Sequence, residues 1–112
     1  IDRFTDSTLA YQHYGMGIDI KFINFINKFL LKKMKVNFTF LHLVDTKNMK
    51  KRLIKRKNLN RYDKFKMIFY KRVQAGYIKL SNKSRKKYLK INSNLDINNN
   101  KKIILNKIKQ II

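Results

Sequence analysis

The sequence predicts an α/β protein built on a parallel sheet, and more narrowly the C-terminal part of a larger α/β domain. Segments with apolar side chains at helical spacing alternate with short, β-rich apolar runs, the order in which helices connect parallel strands. Only two such runs stand out, at 36–44 and 88–91. Two or three strands cannot form a parallel sheet with both faces and both edges protected. The opening Ile1-Asp2-Arg3 reads as the end of a strand entering a loop, not as a native start, so a truncated product is expected.

After that opening loop, residues 18–34 carry Ile18, Phe22, Ile26, Phe29 and Leu30 at helical spacing, with the stripe expected to be core or subunit interface. Lys28, Lys32 and Lys33 gather toward its C-terminal end, where cations suit the helix dipole. Val36–Val44 (VNFTFLHLV) is almost continuously apolar, as a strand covered on both faces would be. Asp45 or Thr46 can cap the next helix, marked by Met49 and Leu53. Residues 55–63 (KRKNLNRYD) are charged and contain Asn, and read as a mobile loop. Phe65, Ile68, Phe69, Val73, Tyr77 and Leu80 form the stripe of a further helix. Tyr88–Ile91 is a short strand, residues 92–100 a polar connection, and Ile104, Ile108, Ile111 and Ile112 mark a final helix. With no Pro and only Gly15, Gly17 and Gly76, turns must rely on Asn, Asp and Ser. No internal repeat is found.

The chain has 112 residues, one compact domain and not two. Its 44% hydrophobic content allows a core and argues against wholesale disorder. The absence of Cys excludes disulfides, thiolate metal sites and a cysteine nucleophile. His13 and His42 are the only histidines, too few for a histidine-rich metal centre, and both are expected to be structural. No uninterrupted apolar run approaches the roughly 20 residues of a membrane span, so a soluble, cytoplasmic domain without a membrane partner is expected. The six acidic residues are all Asp, which removes Glu-based general-acid and zinc-helix motifs.

A formal net charge of +22 invites a nucleic-acid-binding assignment, since Lys and Arg neutralise phosphates and release counterions. Composition offers another cause. Lys, Ile and Asn supply 50 of the 112 residues, and these are the amino acids with the most A/T-rich codons. Lys outnumbers Arg 22 to 6, whereas specific readers of phosphate and bases lean on the Arg fork. The lysines are also spread along the whole chain. Non-specific attraction to polyanions is expected, and a basic nucleic-acid-binding module is kept as an alternative function.

Asp2–Gln12 reads DRFTDSTLAYQ, and this resembles the thymidylate kinase signature DR-aromatic-x-x-S-x-x-A-Y-Q. Phe38–Leu53 (FTFLHLVDTKNMKKRL) is similar to the family's L-T-F-L-L-D-V-D-P-E-x-A-L-E-R. Asn60–Asp63 (NRYD) resembles D-R-F-E after the family's basic lid, and Phe69–Leu80 (FYKRVQAGYIKL) resembles F-H-E-R-V-R-E-G-Y-L-E-L. Ile91-Asn92-Ser93 stands where the family has I-D-A. The resemblance covers essentially the whole chain and implies the C-terminal portion of a parallel-sheet P-loop nucleoside monophosphate kinase fold. Departures are Thr46 for the family's Pro, Leu43 for the first Asp of D-V-D, and Asp63 for the Glu of R-F-E. No G-x-x-x-x-G-K-S/T occurs in the 112 residues. The family carries that phosphate loop, and its central strand, in an N-terminal half expected to be absent here.

The resemblance implies transfer of the γ-phosphoryl group of ATP to dTMP with Mg²⁺, a step in dTTP biosynthesis. Such transfer asks a protein chiefly for positioning and positive charge. Residues 1–17 would form the dTMP-site segment. There Asp2 acts near metal and phosphates, and Arg3 holds the dTMP phosphate beside the transferred group. Ser7 follows in register, and Thr8 and Gln12, four apart, would meet the thymine edge. Tyr11 would pack on the sugar and exclude a ribose 2′-hydroxyl. Residues 52–63 would form the basic lid, with Arg56 and Arg61 on the phosphates and Arg52 stacked on adenine; solvated surface charge is the alternative for each. Asn92 and Ser93 would belong to the loop beside adenine. The resemblance further implies a homodimer formed through helices on the side of residues 18–30. A related nucleoside monophosphate kinase with another base specificity is the remaining alternative. Gly15 and Gly17 are not a phosphate loop, lacking the strand before them and the Lys after, and are expected to permit an unusual turn.

Overall fold

The computed structural model describes residues 2–32, 34–56 and 61–112, without the side chains of residues 56 and 61–65. Helix α1 (Thr5–Thr8) runs directly into a wider, π-wound turn over Leu9–Gly15. There the Met16 N–H reaches back five residues to the Tyr11 carbonyl, at 3.0 Å. Gly17, at φ +80°, lets the chain leave that turn in a left-handed conformation. The Ile18 N–H then returns to the Gln12 carbonyl at 2.9 Å, and His13 Nδ1 lies 2.7 Å from the Ile18 carbonyl oxygen. The expected opening loop is therefore helical. A four-residue helix without a side-chain cap at Phe4 leaves little periodicity to detect.

Helix α2 (Ile20–Leu30) starts where Asp19 accepts from the Lys21 N–H at 2.8 Å. Its buried residues are Ile23 and Asn27, so the expected stripe is not the inward face: Phe22, Phe25, Phe29 and Leu30 are exposed. Lys21, Asn24 and Lys28 mark the opposite, polar face, so the period locates the apolar face but does not tell whether that face meets the core or stays uncovered. Strand β1 (Thr39–Leu43) is shorter than the 36–44 run, and only Leu41 in it is buried. His42, expected to be packed, is exposed, because β1 has a single strand neighbour among the described residues. Asp45 caps helix α3 (Thr46–Arg56), accepting from the Asn48 N–H at 2.7 Å.

Helix α4 (Arg61–Lys83) buries Val73 and Gly76, with Phe69, Tyr77 and Leu80 half-buried and Ile68 exposed, against expectation. The expected 55–63 loop falls partly on these two helices, and residues 57–60 lie outside the described ones. A tight turn over Arg85–Lys87 leads into strand β2 (Tyr88–Asn92), parallel to β1 in register from Thr39 opposite Tyr88 to Leu43 opposite Asn92. Helix α5 (Ile97–Ile111) occupies part of the expected polar connection. Asn98, Asn99 and Asn100 look like loop residues, but Asp96 caps the helix by accepting from the Asn98 N–H at 3.4 Å. Asn100 is buried and donates to the Asn92 carbonyl at 2.9 Å, fastening α5 to the end of β2.

The tightest packing brings α4 against the π-wound turn. A Cβ on Gly15 would stand 2.6 Å from the Phe69 ring, and one on Gly76 would stand 2.7 Å from Tyr14 Cβ. Two glycines thus let the backbones approach, holding residues 2–15 alongside the sheet. No helix among the described residues is long and apolar enough to cross a membrane.

Candidate functional site

Arg3 has φ +60°, the left-handed region, which costs a non-glycine residue on the order of 1 kcal/mol. The turn brings its guanidinium carbon to 5.3 Å from the centre of the Tyr11 ring, a cation–π contact. Tyr11 in turn meets Phe69 at 5.8 Å and Tyr77 edge-on at 6.4 Å. Two phenols from distant parts of the chain engage consecutive residues of α1: Tyr77 hydrogen-bonds the Ser7 hydroxyl, and Tyr88 donates to Asp6 Oδ2. Burial pushes both phenols above the usual tyrosine range. The Asp6 carboxylate raises Tyr88 further, because losing the proton would forfeit a bond and set two anions together. For Tyr77 the Ser7 bond partly opposes burial.

Asp2, Arg3, Ser7 and Tyr11 line one cleft of about 1340 Å³, with Arg52 in its wall. These five of the sequence-predicted residues are brought together. Thr8 and Gln12 are half-buried on the same segment but do not line the cleft. Arg52 also borders a second cavity, of about 460 Å³, with Ser93 and Asn100. Its Nη2 donates to the Ser93 carbonyl at 2.8 Å, so Arg52 stands between the two spaces. Among the described residues, buried Asn100 has no partner for its Oδ1. Asn92 does not line this cavity; its Oδ1 accepts from the Asn94 N–H at 2.9 Å. The Arg56 and Arg61 side chains lie outside the described residues.

Three contributors escape sequence reasoning. Tyr77 and Tyr88 register only as apolar-stripe and strand residues, because their partners are 70 and 82 positions away. The Gln74 side-chain amide takes both backbone groups of Val44, accepting from its N–H at 3.0 Å and donating to its carbonyl at 2.8 Å. The one available signal is that Gln74, Gly76 and Tyr77 stand together within the 69–80 motif. No group of three His, Cys, Asp or Glu side chains able to hold a metal occurs among the described residues. Exposed Asp2 in the cleft suits an indirect role towards Mg²⁺, an ion that keeps several waters and takes one or two carboxylates alongside phosphates.

A thymidylate kinase family model matches residues 1–104. The thymidylate kinase of Sulfurihydrogenibium sp. is 33% identical over 109 residues, covering 97% of this chain and 52% of that protein. The Staphylococcus epidermidis thymidylate kinase is 34% identical over 94 residues, 83% of this chain and 46% of its own. That of Trichodesmium erythraeum is 36% identical over 94 residues, 84% and 41% respectively. The chain therefore spans about half the length of the curated relatives it matches. A family match over almost every residue, on a mixed α/β fold with a small parallel sheet, leads to one conclusion: the chain belongs to the thymidylate kinase family.

Proposed function

We propose that the protein serves the transfer of the γ-phosphoryl group of ATP to dTMP, contributing the dTMP-site segment 1–17 and the basic lid 52–63. The observation that carries this is the convergence of Arg3, Ser7 and Tyr11 on one cleft with Arg52 in its wall. In such a transfer an oxygen of the dTMP phosphate bonds to the γ-phosphorus while the bond to the β-bridging oxygen breaks, releasing ADP. Arg3 forks onto the dTMP phosphate and holds it beside the transferred group. Tyr11 packs on the sugar, and Thr8 and Gln12 address the thymine edge. Arg52, with Ser93 and Asn92, belongs to the adenine side; Arg56 and Arg61 answer the charge that spreads over the phosphoryl oxygens. Asp2 would act on the water shell of the Mg²⁺ that accompanies ATP, an ion that would offset phosphate charge.

The G-x-x-x-x-G-K-S/T loop that would cradle the β- and γ-phosphates does not occur in the sequence, so the 112 residues by themselves are expected to give no turnover. Calorimetric titration with dTMP, thymidine, dGMP and the ribonucleotide of thymine tests the site directly. Expected is preference for dTMP, weakened by Thr8→Ala and Gln12→Ala. Binding of dTMP unchanged in both variants would point instead to a related kinase of other base specificity. The net charge of +22 favours one further reading, a basic nucleic-acid-binding module. That module would bind DNA or RNA with steep salt dependence and without competition by dTMP.

A further inference from the structure

We propose that Tyr77 is a positioning residue for the nucleotide site, holding Arg3, Ser7 and Tyr11 in one arrangement; this rests on the dTMP-site reading above. A tyrosine that merely filled the α4 stripe could be any aromatic. Here the hydroxyl bonds Ser7 Oγ, while the ring meets Tyr11 edge-on at 6.4 Å. Tyr11 carries the Arg3 guanidinium over its ring. One side chain therefore reaches two site residues directly and the third through Tyr11.

The segment it holds needs an outside support. Helix α1 has four residues and no side-chain cap at Phe4, far below the length at which a helix persists unaided. It passes at once into a π-wound turn, and it follows a residue in the left-handed region. Strain of that kind lasts only where the surroundings over-determine the backbone. The two phenols supply this, Tyr88 at Asp6 and Tyr77 at Ser7, three and four residues after Arg3. Tyr77 is also a fixed point: three residues earlier on α4, Gln74 grips both backbone groups of Val44 at the end of β1. The placement of Arg3 is thereby referred to the sheet through α4.

Tyr77→Phe removes one oxygen and keeps the ring, and Ser7→Ala removes the other half of the same contact. Calorimetric titration of the 112-residue chain with dTMP and with thymidine reads affinity. Thermal melting and the ¹⁵N–¹H signal of Arg3 Nε, shifted by the Tyr11 ring, read the fold and the position of Arg3. Expected for Tyr77→Phe is about a fivefold loss for dTMP, the worth of one neutral hydrogen bond, a smaller loss for thymidine, and displacement of the Arg3 signal in a folded chain. Ser7→Ala should displace the same signal, and the double variant should lose no more than Tyr77→Phe alone. An unmoved Arg3 signal in both variants, or equal losses for dTMP and thymidine, would overturn the proposal. If the unaltered chain binds neither nucleoside nor nucleotide, the dTMP-site reading fails. The Arg3 signal then decides the positioning role alone, displacement supporting it and constancy refuting it.

Discussion

Tyr88 links a single proton to stability. An unfolded tyrosine ionises near pH 10, whereas burial first, and then the Asp6 carboxylate, hold the folded phenol protonated to higher pH. Below about pH 10 both states keep the proton, and the Tyr88 contribution is fully present. Above that the unfolded chain loses its proton first, so stability falls as pH rises towards the folded value. Urea midpoints of Tyr88→Phe should therefore decline less between about pH 9.5 and 11 than those of the unaltered chain; equal declines would contradict the Asp6 contact. Ile91, opposite His42 in the sheet and among the most buried side chains, gives a second prediction. Ile91→Ala should cost about 2–5 kcal/mol in denaturant unfolding, the transfer loss plus the cavity left behind. A loss under about 1 kcal/mol would mean that the site collapses freely around the smaller side chain.

At the scale of elements, the crossing of α4 over the π-wound turn depends on Gly15 and Gly76. A methyl on Gly76 would press on Tyr14 Cβ and ring carbons at 2.7 Å. Tyr14 Cβ is anchored to the backbone and cannot swing aside, so Gly76→Ala should destabilise by about 1–3 kcal/mol through overpacking. A calorimetric melt reads this, and a variant as stable as the parent would show that the two elements can part without loss. This crossing also marks where sequence legibility ends. Both strands, α3 with its Asp45 cap and most of α4 were expected from apolar period and capping residues, which act within a few positions. The π-wound turn was not, because it is set against Phe69, Val73 and Gly76 of α4 across the crossing. The apolar stripe of α2 was expected to be core or subunit interface. It is not core, since Ile23 and Asn27 at its edge turn inward instead, and what covers an amphipathic face is decided by neighbours far along the chain. In the candidate site, Asp2, Arg3, Ser7, Tyr11 and Arg52 were legible through motif resemblance. Tyr77 and Tyr88 were not, since hydroxyl contacts 70 and 82 positions apart have no local signature.

Charge and exposed apolar surface act on the molecule as a whole, and they pull in opposite directions. Phe22, Phe25 and Phe29 on α2 are 59%, 72% and 72% exposed, a contiguous aromatic face of the kind that marks a contact surface. Subunit pairing through this side is the expectation drawn from the sequence resemblance. A net charge of +22 resists bringing two copies together, and this repulsion is screened within about 10 Å at 0.1 M salt. Self-association through α2 should therefore strengthen as ionic strength rises, because burying aromatic rings is insensitive to screening while the opposing repulsion is not. Nucleic-acid binding has the opposite sign, weakening with salt as counterion release loses its drive. Sedimentation velocity over a range of concentration and salt distinguishes the two. The expected result is a dimer fraction that grows from about 0.05 to 0.5 M salt and disappears in Phe25→Ser/Phe29→Ser. A chain that stays monomeric throughout, or a double variant that dimerises as the parent does, would remove α2 from the interface.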